Sequence, residues 1–216
     1  MPPHRARRRP RTAAVRETHA LRVLDNATEW RDAWVTSDDT IASCSELSIS
    51  GCVVRDVRFT GADLGALHVD NTIFERCDFS GVVADSIDIV QSELRDCRMD
   101  AFSANGGRWH DVAIERCTMR DVSLRGTTWQ HAEFAEVMFA RADFTNATFE
   151  HACFERCDLT EAQFWHASLG GASFPGSRLD AVRGGLAFRG ARIDLTQVTD
   201  VALTVFEGLE IVVVEE

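Results

Sequence analysis

Large apolar side chains recur at every fifth position through most of this sequence. From Ile49 to Leu179, 27 successive positions at this spacing are apolar, without one insertion or deletion. An α-helix requires apolar residues about every 3.6 positions and a strand every second position, so neither element alone explains a period of five. The period therefore predicts a repeated unit in which a short strand is followed by a bend.

A second set of mostly small residues lies two positions before each of these apolar residues. It runs from Leu47 and Cys52 to Ala172 and Ser177, and none of its members is charged. Residues two apart on a strand point to the same side. Both sets are therefore predicted to point inward, and the remaining three positions of each unit, which hold nearly all the charge, are predicted to face outward.

The units "ARADF", "TNATF", "LTEAQF" and "FTGADL" resemble those of the pentapeptide-repeat family, which read roughly A(D/N)LXX. The resemblance covers about residues 42–195. It implies an all-β solenoid, a right-handed quadrilateral β-helix in which four units form one square coil, with a C-terminal capping helix. The expected divisions are a disordered basic arm (1–22), an N-terminal cap segment (23–46), the β-helix (47–193), and a C-terminal helix and strand for capping and dimerisation (194–216).

Coils of 20 residues stacked at the strand spacing of ~4.8 Å predict a rod of ~32 Å with ~6.75 coils. Residues 20 apart then become vertical neighbours. Trp109 is expected below Trp129 and Phe149, with Gly107 compensating for the bulk of Trp109, because a close-packed core requires it. A second column is predicted to contain Phe74, Leu94, Ile114, Phe134, Phe154 and Phe174.

Two columns contain residues with metal or redox chemistry. Cys77, Cys97 and Cys117 fall in one column, with Cys157 beyond Val137. Small buried core residues are the favoured interpretation, and disulfide or metal chemistry is the alternative, although a straight ladder is not a tetrahedral site.

His131 and His151 are predicted column neighbours above Asp111. We interpret them as turn residues rather than a surface metal site, and expect the other histidines to form no cluster. Outward Ser, His and Asp residues have no enclosed pocket in such a rod, and no Gly-rich phosphate loop is present. We therefore expect no enzymatic activity, no catalytic, metal or cofactor-binding residues, and no cofactor.

The charge of the chain is unevenly distributed. The net charge is -11, all 23 basic residues are Arg, and seven of them lie in residues 1–22 with one Glu. The basic arm is interpreted as a disordered tail, with a nucleic-acid or partner contact as the alternative. No apolar run follows the arm as in a signal peptide, and no segment reaches 18 apolar residues, so a cytoplasmic protein without membrane contact is expected.

We number the four predicted sides by residues 55–58, 60–63, 65–68 and 70–73, with their equivalents at intervals of 20. Between residues 52 and 182 the exterior carries 21 acids and 12 Arg. The first side has eight of each sign, including an alternating ion-pair column of Arg76, Asp96, Arg116, Glu136 and Arg156, and the third side is balanced. The surplus lies on the second and fourth sides, where the predicted partner-binding residues are Asp63, Asp100, Asp121, Asp143 and Glu161 (second), and Asp70, Glu93, Asp111, Glu133 and Glu150 (fourth).

Both ends of an open β-helix expose unpaired strand edges and require capping. "NATEWRDAWVTSDD" is predicted to supply a short N-terminal helix with Trp30 and Trp34 on one face. A C-terminal helix is predicted from apolar spacing, with Asp194 and Gln197 at its start and Gly208 at its end. The final "IVVV" is predicted to be a strand that pairs with the last coil or joins a second subunit. The predicted capping and dimerisation residues are Leu195, Val198, Ala202, Val205, Phe206, Leu209, Ile211 and Val213.

The tail and the loop-free coils resemble the mycobacterial fluoroquinolone-resistance branch of the family. That resemblance implies a non-catalytic, DNA-mimicking protein that binds DNA gyrase, protects it from quinolones or a natural gyrase poison, and forms a homodimer through its C-terminal ends. The acidic rod itself is expected not to bind DNA. The alternative is a structural or scaffolding protein with an unidentified protein partner, since fold does not determine function.

Overall fold

The computed structural model describes residues 20–21, 28–36, 41, 43–212 and 214. They form a parallel β-solenoid of about six turns followed by a short C-terminal helix. Residues 1–19 and 22 of the predicted basic arm lie outside the described residues, as do residues 23–27, 37–40 and 42 of the predicted N-terminal cap segment and residues 213, 215 and 216.

The strands are short, as the five-residue unit predicts. In chain order they are β1 (Ala20–Leu21), β2 (Glu29–Arg31), β3 (Trp34–Thr36), β4 (Glu46–Ser50), β5 (Val53–Arg55), β6 (Ala66–Asp70), β7 (Ile73–Glu75), β8 (Val83–Ala84), β9 (Ser86–Val90), β10 (Glu93–Arg95), β11 (Ser103–Ala104), β12 (Arg108–His110), β13 (Ala113–Glu115), β14 (Thr128–Gln130), β15 (Glu133–Ala135), β16 (Thr148–Glu150) and β17 (Cys153–Glu155).

Every strand pair is parallel, and the usual register joins each residue to the one 20 positions later. The fourth side is a sheet in the order β1-β3-β5-β7-β10-β13-β15-β17, and the third side is a sheet in the order β2-β4-β6-β9-β12-β14-β16. On the first side, isolated β-bridges such as Arg58↔Asp78 connect successive coils. On the second side, Asp63↔Val83 is the first of a similar series of bridges. The predicted four-sided coil is confirmed.

The interior is filled by the two inward sets. All 27 large apolar positions are buried, and so are the residues two positions before them. The predicted column is confirmed by the register Phe74↔Leu94 and by stacked rings, with centroids 4.5 Å apart for Phe134 and Phe154.

The corners depend on left-handed backbone. The second residue after each large apolar position has a positive φ at nearly every corner, as at Asp56 (φ 56°), Asn71 (48°) and Gly81 (67°). Asn, Asp and Gly adopt this region most readily, which explains their frequency at the corners. The corner conformation turns the chain by one side and points the flanking side chains outward.

The predicted N-terminal helix is wrong. Trp30 lies on β2 and is buried against the next coil, where its register is Trp30↔Ile49, and β3 places Val35 against Val54. This register is 19 residues instead of 20. Because one residue fewer separates these two coils, the period of five is interrupted there. A search for a continuous period therefore does not find the coil that contains β2 and β3.

The C-terminal helix is confirmed, but its contact face agrees with the prediction only in part. Two 3-10 helices, Gly185–Phe188 and Leu195–Gln197, precede α1 (Val198–Gly208), and the backbone N–H of Asp194 donates to Gln197 Oε1 at 2.7 Å. The buried Gln197 amide also donates to the carbonyls of Phe174 and Ser177 at 2.7 and 2.6 Å. It thereby satisfies carbonyls at the open end of the solenoid.

Helix α1 is held to the solenoid through Val201 and Thr204, which are buried, and through the predicted Val205, which is half-buried against the core. The other predicted residues Leu195, Val198, Phe206 and Leu209 are exposed. Gly185 explains why the helix presents Thr204 to the solenoid, because a Cβ at position 185 would lie 2.3 Å from the Thr204 backbone. The helix backbone therefore packs directly on the first 3-10 helix. Residues 211, 212 and 214 of the predicted final strand are not in a strand.

Candidate interaction surface

The first side is neutralised by ion pairs between successive coils. The guanidinium groups of Arg76 and Arg116 donate to Asp56 and Asp96 at 2.7 Å, and Arg156 lies 3.2 Å from Glu136. Hydrogen bonds from these guanidinium groups hold the pKa of Asp56 and of Asp96 below the usual range. The predicted ladder is thus a set of discrete pairs, and it supports a structural role for this side.

The predicted partner-binding acids do not all reach solvent. Glu93 and Asp111 are buried, contrary to the expectation for outward positions, because Glu93 forms an ion pair with Arg95 and Asp111 lies between two histidines. Asp100 and Asp143 are half-buried. The exposed members are Asp63, Asp70, Asp121, Glu133, Glu150 and Glu161.

Ion pairs also reduce the effective charge of the second side. Asp121 accepts two hydrogen bonds from Arg141 at 2.6 and 2.7 Å, and Asp143 lies 3.3 Å from Arg125 of the third side. On the fourth side Glu150 accepts instead from the uncharged Gln130 at 2.9 Å. The fourth side has no Arg between residues 52 and 182, so it keeps the largest acidic surplus.

The histidine prediction requires correction. His131 does stack on His151, with ring centroids 5.4 Å apart, but the group that converges on Asp111 is His110 and His131. Their Nδ1 atoms lie 3.5 and 3.3 Å from the Asp111 carboxylate oxygens. A comparison of residues 20 apart does not include His110 in the cluster around Asp111. Its position directly before Asp111 at the same corner could have indicated that it belongs there.

The cysteines behave as core residues. Cys77, Cys97, Cys117 and Cys157 are buried, and all seven cysteines are free thiols. The backbone N–H of Cys97 lies 3.3 Å from Cys117 Sγ, in keeping with the predicted column. Burial raises the pKa of Cys157 to about 12, so the reactive thiolate is scarce at neutral pH.

The C-terminal end combines a groove with exposed apolar residues. The groove has a volume of about 440 Å³ and is lined by Trp165, His166, Ala167, Gly184–Ala187 and Gly208. His166 is the one titratable residue that lines this groove. The lining therefore lacks the nucleophile with an adjacent general base that covalent catalysis requires. Leu195 is 92% exposed, and Leu186, Leu203, Leu209, Val212 and Val214 of the same C-terminal segment are also exposed. We call these six residues the C-terminal apolar patch.

No helix among the described residues is long and apolar enough to cross a membrane.

Comparison with known proteins identifies the repeat. Residues 117–156 and 157–183 match the family of Pentapeptide repeats, with eight copies. The chain is similar to a trypsin-treated form of QnrB1, a plasmid-mediated fluoroquinolone resistance protein, at 18% identity over 88% of this chain and 100% of that one, with a TM-score of 0.36.

A second similar structure is HetL, a pentapeptide repeat protein involved in heterocyst differentiation regulation from the cyanobacterium Nostoc sp. strain PCC 7120. It is 13% identical over 76% of this chain and 86% of that one, with a TM-score of 0.32. No curated protein matches the chain. These likenesses concern the fold.

Proposed function

We propose that this chain, whose residues 117–156 and 157–183 match the family of Pentapeptide repeats, is a non-catalytic interaction protein that mimics duplex DNA. Its proposed partner is a DNA-binding protein, DNA gyrase being the one that the resemblance of the sequence implies. Binding in the cytoplasm would protect gyrase from quinolones or from a natural gyrase poison. The filled core and a C-terminal groove with a single titratable residue support a role that depends on surface and not on catalysis.

The acidic surplus of the fourth side is the observation that carries this proposal. Asp70 and Glu150 are exposed along one side of a regular rod, whereas acids of the first side are paired with Arg. A basic cleft that accepts duplex DNA presents positive charge along a line. An acidic row on a rigid rod is complementary to such a cleft and favours rapid association.

Charge density limits how closely the rod imitates DNA. Duplex DNA of ~32 Å carries ~19 phosphate charges. Residues 52–182 hold 21 acids and 12 Arg, so the net charge over this length is about half that of DNA. We infer that rod shape and the uneven charge of the sides contribute together, and that binding weakens with ionic strength.

A homodimer formed through the C-terminal ends is part of the proposal. The C-terminal apolar patch provides six exposed aliphatic side chains in the C-terminal segment of the chain. Apolar surface of this kind is buried in obligate dimers, and a symmetric contact would join two rods end to end. A dimer would double the length of the acidic surface.

A scaffolding role with another protein partner is the second candidate. The pairs Asp56–Arg76, Asp121–Arg141 and Asp143–Arg125 consume charge that a DNA mimic would otherwise present. A surface neutralised in this way suits a stable rod as well as it suits a gyrase ligand.

A gyrase supercoiling assay with and without ciprofloxacin distinguishes the two candidates. DNA mimicry predicts inhibition of supercoiling, or protection of gyrase from the drug, at micromolar concentrations of the protein. Neither effect at those concentrations would reject gyrase as the partner and leave the scaffold.

Charge reversal locates the contact. The variant Asp70→Arg/Glu150→Arg changes the fourth side, and Asp85→Arg/Asp88→Arg makes the same change in net charge on the third side. The first variant is expected to lose the effect on gyrase and the second to retain most of it. An equal loss in both variants would show that net charge, and not the fourth side, determines binding.

A further inference from the structure

We propose that His110, Asp111 and His131 bind one divalent transition-metal ion of the zinc class on the outside of the rod. The three residues lie on the fourth side, where two consecutive coils meet at a corner. This inference does not depend on gyrase binding.

The backbone places the three side chains together. His110 ends β12, and Asp111 follows it at the corner with φ 55°. The backbone N–H of Asp111 donates to the Gln130 carbonyl at 2.9 Å, which brings His131 of the next coil alongside. Two histidines from adjacent coils are therefore fixed on the same carboxylate by the solenoid itself.

Each histidine lies at the spacing of neighbouring metal ligands from one oxygen of the Asp111 carboxylate. Asp111 Oδ2 lies 3.5 Å from His110 Nδ1, and Asp111 Oδ1 lies 3.3 Å from His131 Nδ1. A charge-assisted hydrogen bond between such groups is ~2.7–2.9 Å long. Ligand atoms around zinc, with bonds of ~2.0–2.1 Å at tetrahedral angles, lie about 3.3–3.4 Å apart.

The surroundings favour a cation. The Asp111 side chain is 9% exposed, whereas the side chains of His110 and His131 are 42% and 24% exposed, so the carboxylate forms the floor of a site that an ion can enter. All the candidate ligand atoms lie within 4.8 Å of one another. A buried carboxylate requires a compensating charge, and a bound cation supplies one.

The donor set selects the metal. Two imidazole nitrogens and one carboxylate suit zinc, nickel, cobalt or copper, whereas calcium and magnesium prefer oxygen ligands. Three protein ligands leave the fourth tetrahedral position to water or to a group from another molecule. His151 stacks on His131 but is not a member of the converging group, so it is expected to contribute little.

The bound ion would link two successive coils. His110 and Asp111 belong to one coil and His131 to the next, so the metal adds a cross-link that the unfolded chain lacks. Zinc is therefore expected to raise the melting temperature of the protein in a concentration-dependent manner. Magnesium at the same concentration is expected to leave it unchanged.

Equilibrium dialysis of the full chain against zinc sulfate tests the site. The protein is reduced and treated with EDTA beforehand. The double variant His110→Gln/His131→Gln is expected to bind one ion fewer than the wild type, or the same ion at least about 10-fold more weakly. The matched control His68→Gln/His151→Gln changes two other exterior histidines and is expected to bind as the wild type does. Equal zinc binding by the two double variants would overturn the proposal.

Two further measurements keep the result interpretable. Asp111→Asn retains the side-chain shape and is expected to lose zinc affinity and the zinc-dependent rise in melting temperature, even if the double variant fails to fold. Cobalt substitution reports the donors, because nitrogen and oxygen ligands give a tetrahedral visible band without the charge-transfer band of a thiolate. A thiolate band would assign the metal to the cysteines and contradict the site.

Discussion

Trp109 lies directly against Trp129 of the next coil, with indole centroids 4.4 Å apart and planes inclined by 17°. The two indoles differ in one respect. Trp129 Nε1 donates to Thr127 Oγ1 at 2.9 Å, whereas the residue two positions before Trp109 is Gly107, and Trp109 Nε1 has no partner among the described residues. Glycine at position 107 therefore provides no hydroxyl acceptor for the Trp109 N–H, but its lack of a side chain leaves space in the core.

Gly107→Ala is expected to destabilise the protein, because its Cβ would lie 1.9 Å from Ile87 Cγ2. Overpacking of this kind costs about 1–3 kcal/mol of unfolding free energy. Chemical denaturation measures the change. The control Gly170→Ala, where a Cβ meets nothing within 4 Å, is expected to change stability little.

A double-mutant cycle tests the stated cause. Ile87→Ala removes the clashing methyl group, so Gly107→Ala is expected to cost less in the Ile87→Ala background than in the wild type. Additive costs would show that Gly107 is required for some other reason.

The ion pairs of the first and second sides predict a dependence of stability on acid pH. Hydrogen bonds from Arg76, Arg116 and Arg141 lower the pKa of Asp56, Asp96 and Asp121. Their contribution to stability is complete above the unfolded pKa of ~3.9 and is lost as pH falls through the lower folded values.

The triple variant Asp56→Asn/Asp96→Asn/Asp121→Asn is therefore expected to show a shallower loss of unfolding free energy below about pH 4 than the wild type. Urea denaturation at a series of pH values measures it. The control Asp63→Asn/Asp70→Asn/Asp85→Asn alters three exposed acids outside these pairs. A slope that changes equally in both variants would contradict the assignment.

The buried cysteines are expected to resist labelling. Burial raises the pKa of Cys157 to about 12, and the pKa of Cys77 and Cys97 is raised by contacts along the thiol column and by burial. A thiol reagent at pH 8 should label the half-buried Cys44 and Cys153 first. Mass spectrometry identifies the sites, and rapid native labelling of Cys97 would show that the column opens.

The C-terminal apolar patch is expected to control assembly. Leu203→Arg/Val212→Arg places charge on two exposed positions and should convert the proposed dimer to a monomer without loss of helix content. Light scattering after size exclusion measures the mass. The control Glu207→Arg introduces the same residue at an exposed non-apolar position of α1. A wild-type protein that is monomeric at high concentration would reject the dimer.

The period of five in the sequence was sufficient to predict the interior of the solenoid, but it was insufficient to predict the structure of its two ends. Positions 49–179 keep one phase, so inward residues and their partners 20 positions away follow directly, as for Phe134 and Phe154. The 19-residue register of Trp30↔Ile49 breaks that phase and conceals the first coils. At the other end the helix face was set by Gly185, whose close backbone contact is not encoded in apolar spacing.

The exterior was predictable in position but not in burial. Asp111 and Glu93 belong to outward positions, yet the corner histidines cover Asp111, and Arg95 pairs with Glu93. Long side chains at a corner fold over their neighbours, which a count of charges per side ignores. The candidate binding surface is therefore narrower than the ten acids that the sequence indicated.

Equilibrium binding of the full-length protein to purified gyrase, with linear duplex DNA as competitor, tests the central claim most directly. DNA mimicry predicts a complex at micromolar concentrations or below, displaced by DNA and weakened more by Asp70→Arg/Glu150→Arg than by Asp85→Arg/Asp88→Arg. Absence of a complex at those concentrations, or a complex that duplex DNA does not displace, would contradict it.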